Sequence, residues 1–238
     1  FYCLYFTNIV RRKGGAAPEG VFKTLLDAVL NNDVETLRRL LCGGGCGELI
    51  SIAGDREKKI LFLAAVVADC AECVIQLINS GVDVNTVLFF NDVTPLHLAA
   101  SLCRINIARI LLKHGAKVNA ETFPLRSTPL HFASCADMVE LLLNHGAKID
   151  AKNDMGNTPL HLAAMDCRID VVRALLERGA NPNDRNNLGN TPLHEAGCGE
   201  AAELLIRYGA DINAVNNYGD TPLDVAVRNN RCDVVEVL

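Results

Sequence analysis

The tetrapeptide Thr-Pro-Leu-His begins at Thr94, Thr128, Thr158 and Thr191, and a variant, Thr-Pro-Leu-Asp, begins at Thr221. The intervals are 34, 30, 33 and 30 residues. A second mark, a glycine after each Leu-rich run, falls at Gly81, Gly115, Gly146, Gly179 and Gly209. Self-similarity at a period of roughly 30 residues restricts the fold to small units that stack on one another. From Thr to the following Gly the distances are 21, 18, 21 and 18 residues, whereas from Gly to the next Thr they stay at 12 or 13. The connection is therefore nearly constant, and the helical half loses three residues in alternate units.

The stretch 158–190 shows how one unit reads. Thr158 is placed to cap a helix, and Pro159 takes its first position, where a missing N–H costs nothing. Leu160, Leu162, Ala163 and Ala164 give that short helix a small apolar face. After a turn at Asp166-Cys167-Arg168, Ile169, Val171, Val172, Leu175 and Leu176 recur at helical spacing. Gly179 supplies the left-handed residue that ends the second helix. The segment Asn181 to Asn190 is rich in Asn, Asp and Gly and reads as an extended turn. Helix, turn, helix and hairpin-like loop make one unit, and no unit can bury both of its helices alone.

These residues resemble the ankyrin repeat family, whose consensus contains Thr-Pro-Leu-His-x-Ala-Ala, a Leu-rich second helix and a Gly-Ala followed by Asn-Ala. Residues 94–100 and 158–164 match the first of these throughout. A degenerate unit starts at Lys59, and an earlier one spans about 21 to 45. The expected fold class is an all-α solenoid of stacked helix-turn-helix repeats with hairpin-like loops. The expected boundaries are a leader at 1–20 and units at 21–58, 59–93, 94–127, 128–157, 158–190, 191–220 and an incomplete 221–238. Asp33, Glu35, Arg38 and Arg39 suit the first unit to a polar outer face. Val234, Val235, Val237 and Leu238 are expected to be exposed unless the natural chain continues.

Composition agrees with thin stacked helices: half of the 238 residues are apolar, only 5% are aromatic and there is no Trp. The net charge of −5 gives no overall basic excess, so no nucleic-acid partner is expected. The run Phe1–Val10, followed by Arg11-Arg12-Lys13, is too short to span a bilayer and has its charge on the wrong side for a signal peptide. A disordered leader is the first reading, and the end of a longer membrane segment is the alternative. A membrane partner is not expected otherwise. Ten cysteines in a helix-rich chain argue for reduced thiols and a cytoplasmic protein rather than a disulfide framework, with nuclear or host-cell delivery as alternatives.

Four constellations invite chemical readings. His97, His131, His161 and His194 form a row one repeat apart. At roughly 10 Å per step they cannot converge on a metal, and the resemblance implies instead that each imidazole bonds the turn of its own and the adjacent repeat. Cys103 and Cys167 hold the tenth position of their units, and Cys135 and Cys198 the eighth position of the shortened ones, which reads as packing at the inter-helix turn. Cys42, Cys46, Cys70 and Cys73 carry four thiols, but the first pair has three residues between its members, and zinc is not expected. No Gly-x-Ser-x-Gly elbow or phosphate loop occurs, so neither catalytic residues nor a cofactor are expected.

What is left for function is surface. The resemblance implies protein binding through the hairpin tips and the exposed side of the first helices, as a non-catalytic scaffold that is itself monomeric. The tip positions are Asn91, Leu125, Met155, Leu188 and Tyr218, with Phe89 and Phe90 beside the first; the groove floor is Ser101, Leu102, Met165, Asp166, Arg228 and Asn229. The candidate contacts are therefore Phe90, Leu125, Met155, Leu188, Tyr218, Leu102, Met165, Asp166 and Arg228. The missing residues after Ser134 and Gly197 predict shortened helices and notches. A second resemblance, Leu-x5-Asp-aliphatic-Asn, marks Asn85 and Asn213 as similar to asparagines that a hydroxylase modifies on such repeats; the plainer reading is that they satisfy hairpin backbone groups. The alternative to a scaffold is the substrate-receptor arm of a ubiquitin ligase, or an effector of an intracellular microbe.

Overall fold

The computed structural model describes residues 21–31, 33–41, 46–87 and 92–238. The leader, Phe89, Phe90, Asn91 and Cys42 lie outside the described residues. The chain divides after Lys117 into two compact units. Among the described residues all regular structure is helical.

In the first unit the helices are α1 (Val21–Leu30), α2 (Val34–Leu41), α3 (Cys46–Ile52), α4 (Asp55–Ala68), α5 (Ala71–Asn79), α6 (Pro95–Ser101) and α7 (Ile105–Lys113). Asp33 starts α2 by accepting the Thr36 N–H at 3.0 Å. Helix α4 begins four residues before the Lys59 expected from the sequence, with Asp55 and Glu57 in its first turn, where the helix dipole favours acids. From Ile60 to Ala68 every residue of α4 is buried, because α1, α2 and α6 all pack against it. A helix apolar on all sides is a core helix, and α4 is the centre of this unit. Helix α3 is an addition that the repeat pattern does not contain.

The second unit runs through a 3₁₀ turn (Pro129–Phe132) and helices α8 (Ala136–Asn144), α9 (Pro159–Met165), α10 (Ile169–Glu177), α11 (Pro192–Glu195), α12 (Gly199–Arg207), α13 (Pro222–Arg228) and α14 (Cys232–Val237). First helices stack on first helices (α9 on α11, α11 on α13), and second on second (α8 on α10, α10 on α12, α12 on α14). The buried surface between them is Leu, Val and Ala: Leu130, Leu160, Ala163, Val172, Leu175, Leu193, Ala202 and Leu205 are at most 1% exposed. Each buried Leu contributes about 1.5–3 kcal/mol relative to an exposed one. Alanines keep the helices close enough that no aromatic is needed. Val234 is buried and Val235, Val237 and Leu238 are half-buried, so the last helix covers its apolar face better than its sequence implies.

The three-residue deletions take effect in the first helix. In the full-length units α6 and α9 have seven residues; in the shortened ones the corresponding elements have four. The chain then turns extended at Ala133 and Ala196, with ψ of 125° and 119°, and passes directly into the second helix.

Candidate functional site

Each Thr of the tetrapeptide opens its helix through the histidine three residues later. The Nδ1 atoms of His97, His131, His161 and His194 accept the backbone N–H of Thr94, Thr128, Thr158 and Thr191 at 3.1–3.2 Å. An Nδ1 that accepts an amide N–H leaves the ring proton on Nε2. In the second unit that proton is donated to the last residue of the loop that leads into the next repeat: His131 to the Asn157 carbonyl at 3.0 Å, His161 to Asn190 at 3.0 Å and His194 to Asp220 at 3.1 Å. Burial drives His131 down to about 4, and lowers His161 and His194 in the same direction. The row is a set of neutral staples, as the resemblance implies. Asp224 caps Thr221 with its carboxylate, accepting the Thr221 N–H at 2.8 Å and its hydroxyl at 2.6 Å.

The hairpin tips are organised by three asparagines. Asn153, Asn186 and Asn216 stand five residues before their Thr and are buried. Each Oδ1 accepts two backbone N–H groups of its own loop: those of Met155 and Asn157, of Leu188 and Asn190, and of Tyr218 and Asp220, at 2.9–3.0 Å. Each side-chain amide N–H then reaches the previous repeat, Asn186 to Asn157 Oδ1 at 2.8 Å and Asn216 to Asn190 Oδ1 at 2.9 Å. The main chain adds a ladder along the tips. Asp154 N–H donates to the Leu125 carbonyl, Asn187 to Met155 and Asn217 to Leu188, at 2.9–3.0 Å.

This ladder uses the backbone of the tip residues and leaves their side chains standing outward. Leu125 is 42% exposed, Met155 50%, Leu188 40% and Tyr218 72%. Four apolar side chains thus line one edge of the second unit on a fixed backbone. The tip before Thr128 is built differently: Thr122 and Ser127 pair with each other, Arg126 bridges to Glu121 at 2.7 Å, and Phe123 is exposed ahead of a cis Phe123–Pro124 bond.

The proposed floor positions are less uniform. Met165 and Asp166 are exposed at the end of α9, and the Asp166 carboxylate lies 3.4 Å from Arg168. Arg228 is exposed, but its guanidinium is held by both Asp220 oxygens at 2.7 and 2.6 Å, which keeps that carboxyl below the usual range. In the first unit Leu102 is half-buried at the end of α6, and Phe90 lies outside the described residues. Asn85 spans to the next repeat, donating to the Gly115 carbonyl at 3.2 Å and accepting the Lys117 N–H at 2.8 Å. Asn119 and Asn183 do the same in the second unit, toward Gly146 and Lys148 and toward Gly209 and Asp211. The Asn213 backbone N–H donates to Asp211 Oδ1 at 2.9 Å.

Two half-buried arginines serve the shortened helices. Arg168 Nη1 donates to the carbonyls of His131 and Ala133 at 3.2 and 2.5 Å, and Arg231 Nη1 to those of His194 and Ala196 at 3.3 and 2.9 Å. A helix cut to one turn leaves carbonyls unpaired, and the guanidinium of the following full-length unit pairs them. Beside Arg168 a surface cavity of about 370 Å³ opens, lined by Ser134, Cys167, Ile169, Asp170, Arg173 and Glu200 among others. It opens beside Ser134, where the shortened unit lacks three residues.

Among the described residues Cys46, Cys70, Cys73, Cys167, Cys198 and Cys232 are free thiols. Cys103 and Cys135 are disulfide-bonded, which corrects the expectation of reduced thiols at those two positions: a turn cysteine is placed by the repeat itself, and needs no loop-rich framework to find a bonding geometry. Cys70 donates to Cys73 at 2.9 Å, and Cys73 also bonds Cys46, holding that thiol below its ordinary value. Three of the four thiols considered for zinc thus come together, but no group of three or more His, Cys, Asp or Glu among the described residues is placed to hold a metal ion. No helix among them is long and apolar enough to cross a membrane.

The family model for ankyrin repeats in three copies matches residues 25–122, 120–186 and 182–238. The human neurogenic locus notch homolog protein 4 is 47% identical over 75 residues, which is 30% of this chain and 4% of that protein. The Drosophila melanogaster neurogenic locus Notch protein is 36% identical over 98 residues, 40% of this chain and 4% of its own length. A fowlpox virus (strain NVSL) protein named for ankyrin repeats is 41% identical over 113 residues, 46% of this chain and 33% of its length. The chain therefore spans no more than a third of the length of any of these three relatives.

Proposed function

Because this chain belongs to the ankyrin repeat family, whose repeats generally serve as protein–protein interaction modules, we propose that it is a non-catalytic scaffold that captures a protein partner along the tip edge of its second unit. The observation that carries this reading is the row Leu125, Met155, Leu188 and Tyr218, apolar and exposed on a hydrogen-bonded ladder. Apolar side chains in a row with a polar rim are what a protein interface requires. The rim is present in Arg126, Asp154, Asn187 and Asn217, all exposed. Because Asn153, Asn186 and Asn216 fix the loops before a partner arrives, little ordering entropy opposes docking. Met165 and Asp166 extend the surface onto the exposed end of α9. Arg228 contributes through its ion pair with Asp220 rather than as a free cation.

The test is a triple substitution, Met155→Asp, Leu188→Asp and Tyr218→Asp, in affinity capture from cell extract with the unaltered chain as reference. The expected result is loss of the specifically captured protein at unchanged far-UV circular dichroism. Capture that survives the three aspartates overturns the reading.

A further inference from the structure

Two thiols of the second unit are brought together by the same shortening that cuts α11 to one turn. Cys167 sits in the turn after α9, with a positive φ of 54°. Gly197, at the end of the shortened first helix, donates its N–H to the Ala164 carbonyl at 3.0 Å. It is pressed so closely on that turn that a Cβ there would stand 2.2 Å from the Met165 carbonyl oxygen and 3.1 Å from the Cys167 sulfur. The next residue is Cys198, which this close approach of Gly197 sets beside the Cys167 thiol, near enough for the two thiols to act on one another. Both are free thiols and half-buried, and Cys167 lines the open cavity of about 370 Å³. The tenth position of a full-length unit and the eighth of a shortened one carry cysteine twice in this chain. The other two, Cys103 and Cys135, are disulfide-bonded.

We propose that Cys167 and Cys198 are a modification site, a dithiol that small disulfides of the glutathione class oxidise to an internal disulfide tying the fifth repeat to the sixth. Burial, with the neighbouring Cys198 thiol second, pushes the Cys167 thiol up to about 12, and the carboxylates of Asp233 and Asp166 act in the same direction. Cys167 therefore stays protonated in the reduced pair, and the first attack falls to its partner, Cys198. Its sulfur bonds one sulfur of the small disulfide and expels the other as a thiolate, giving a mixed disulfide at Cys198. The Cys167 sulfur then attacks the Cys198 sulfur and expels the second small thiolate. The two protein thiol protons pass to the two leaving thiolates, so two protein thiols and one disulfide become one protein disulfide and two small thiols.

The experiment equilibrates the full chain in mixtures of oxidised and reduced glutathione, blocks remaining thiols with an alkylating reagent and maps the peptides by mass spectrometry. Folding is followed by circular dichroism. The expected result is a Cys167–Cys198 linked peptide, two hydrogens lighter than the reduced pair, that rises with the oxidised fraction. Cys167→Ser is expected to stop the sequence at a glutathione adduct on Cys198. Cysteines 167 and 198 that stay alkylated at the most oxidising mixture overturn the proposal, as does an oxidised product in which either one pairs with Cys232 instead.

Discussion

At the scale of single residues, the most consequential side chains are polar ones placed where apolar ones would be expected. Arg168 is the clearest. Its side chain is 17% exposed, and its guanidinium takes two carbonyls of the preceding repeat that a full-length helix would have paired by itself. A charge at an inter-helix turn reads in sequence as a solvated residue, so this role is invisible until the shortened helix is seen beside it. Removing the donor leaves buried acceptors without partners, and each such loss costs about 1–3 kcal/mol. Arg168→Met is therefore expected to destabilise the second unit by about 2–4 kcal/mol in urea unfolding. Arg173→Met, another arginine lining the same cavity, is the control and is expected to change stability by less than about 1 kcal/mol. Equal effects of the two would show that the carbonyl bonds contribute nothing.

Among elements, the contrast is between the two kinds of left-handed glycine. Gly179 ends α10 with φ of 87° and has nothing near the position of a Cβ. Gly189 sits in a hairpin tip with φ of 76°, and a Cβ there would lie 2.4 Å from Asn217 Oδ1 and 2.8 Å from Asn217 N. The first position asks only for backbone conformation; the second also asks for close approach by the next tip in the ladder. Gly179→Ala is expected to cost about 1–2 kcal/mol, the steric penalty of that conformation. Gly189→Ala adds overpacking and is expected to cost about 2–4 kcal/mol. It should also speed hydrogen exchange of the Asn217 amide, which donates to Leu188. Identical thermal shifts for the two variants would mean that the tips do not hold one another.

Over the whole molecule, stability in a stacked array is close to a sum of terms between neighbours, and how much could be read in advance depended on how often a term repeats. The Thr-Pro-Leu-His copies showed the helix caps, the pairing of helices and the places of the missing residues, because each recurs several times in one sequence. The exposure of Met155, Leu188 and Tyr218 followed from the same register. Helix α3 and the early start of α4 occur once, outside the motif, and nothing in the periodicity announces them. Asn153, Asn186 and Asn216 did repeat, but an asparagine in a turn looks alike whether it is solvated or joins two loops. The histidine row gives the summed property that is most open to measurement. His131, His161 and His194 each need a neutral ring to donate from Nε2 and accept at Nδ1, and all three are lowered by burial. Above the ordinary histidine value of 6.5, folded and unfolded chains are both neutral at these rings, and pH has no leverage through them. Below 6.5 the unfolded chain takes up protons that the folded chain refuses, so stability falls as pH drops toward the folded values. For His131, held at about 4, the loss is roughly 3 kcal/mol once that value is reached. The carboxylates lowered by their partners, Glu121, Asp220 and Asp224, act in a lower window, beginning near their ordinary values of 4.5, 3.8 and 3.8. Unfolding free energy measured from pH 7 to pH 5 therefore isolates the imidazoles. It is expected to fall steadily below pH 6.5, while NMR of the folded chain shows the His131 ring unprotonated and the His161 and His194 rings titrating below 6.5. A flat profile over that range, or folded-state titration of these rings near 6.5, would remove the histidines from the account of what holds each first helix to the loop that follows its repeat.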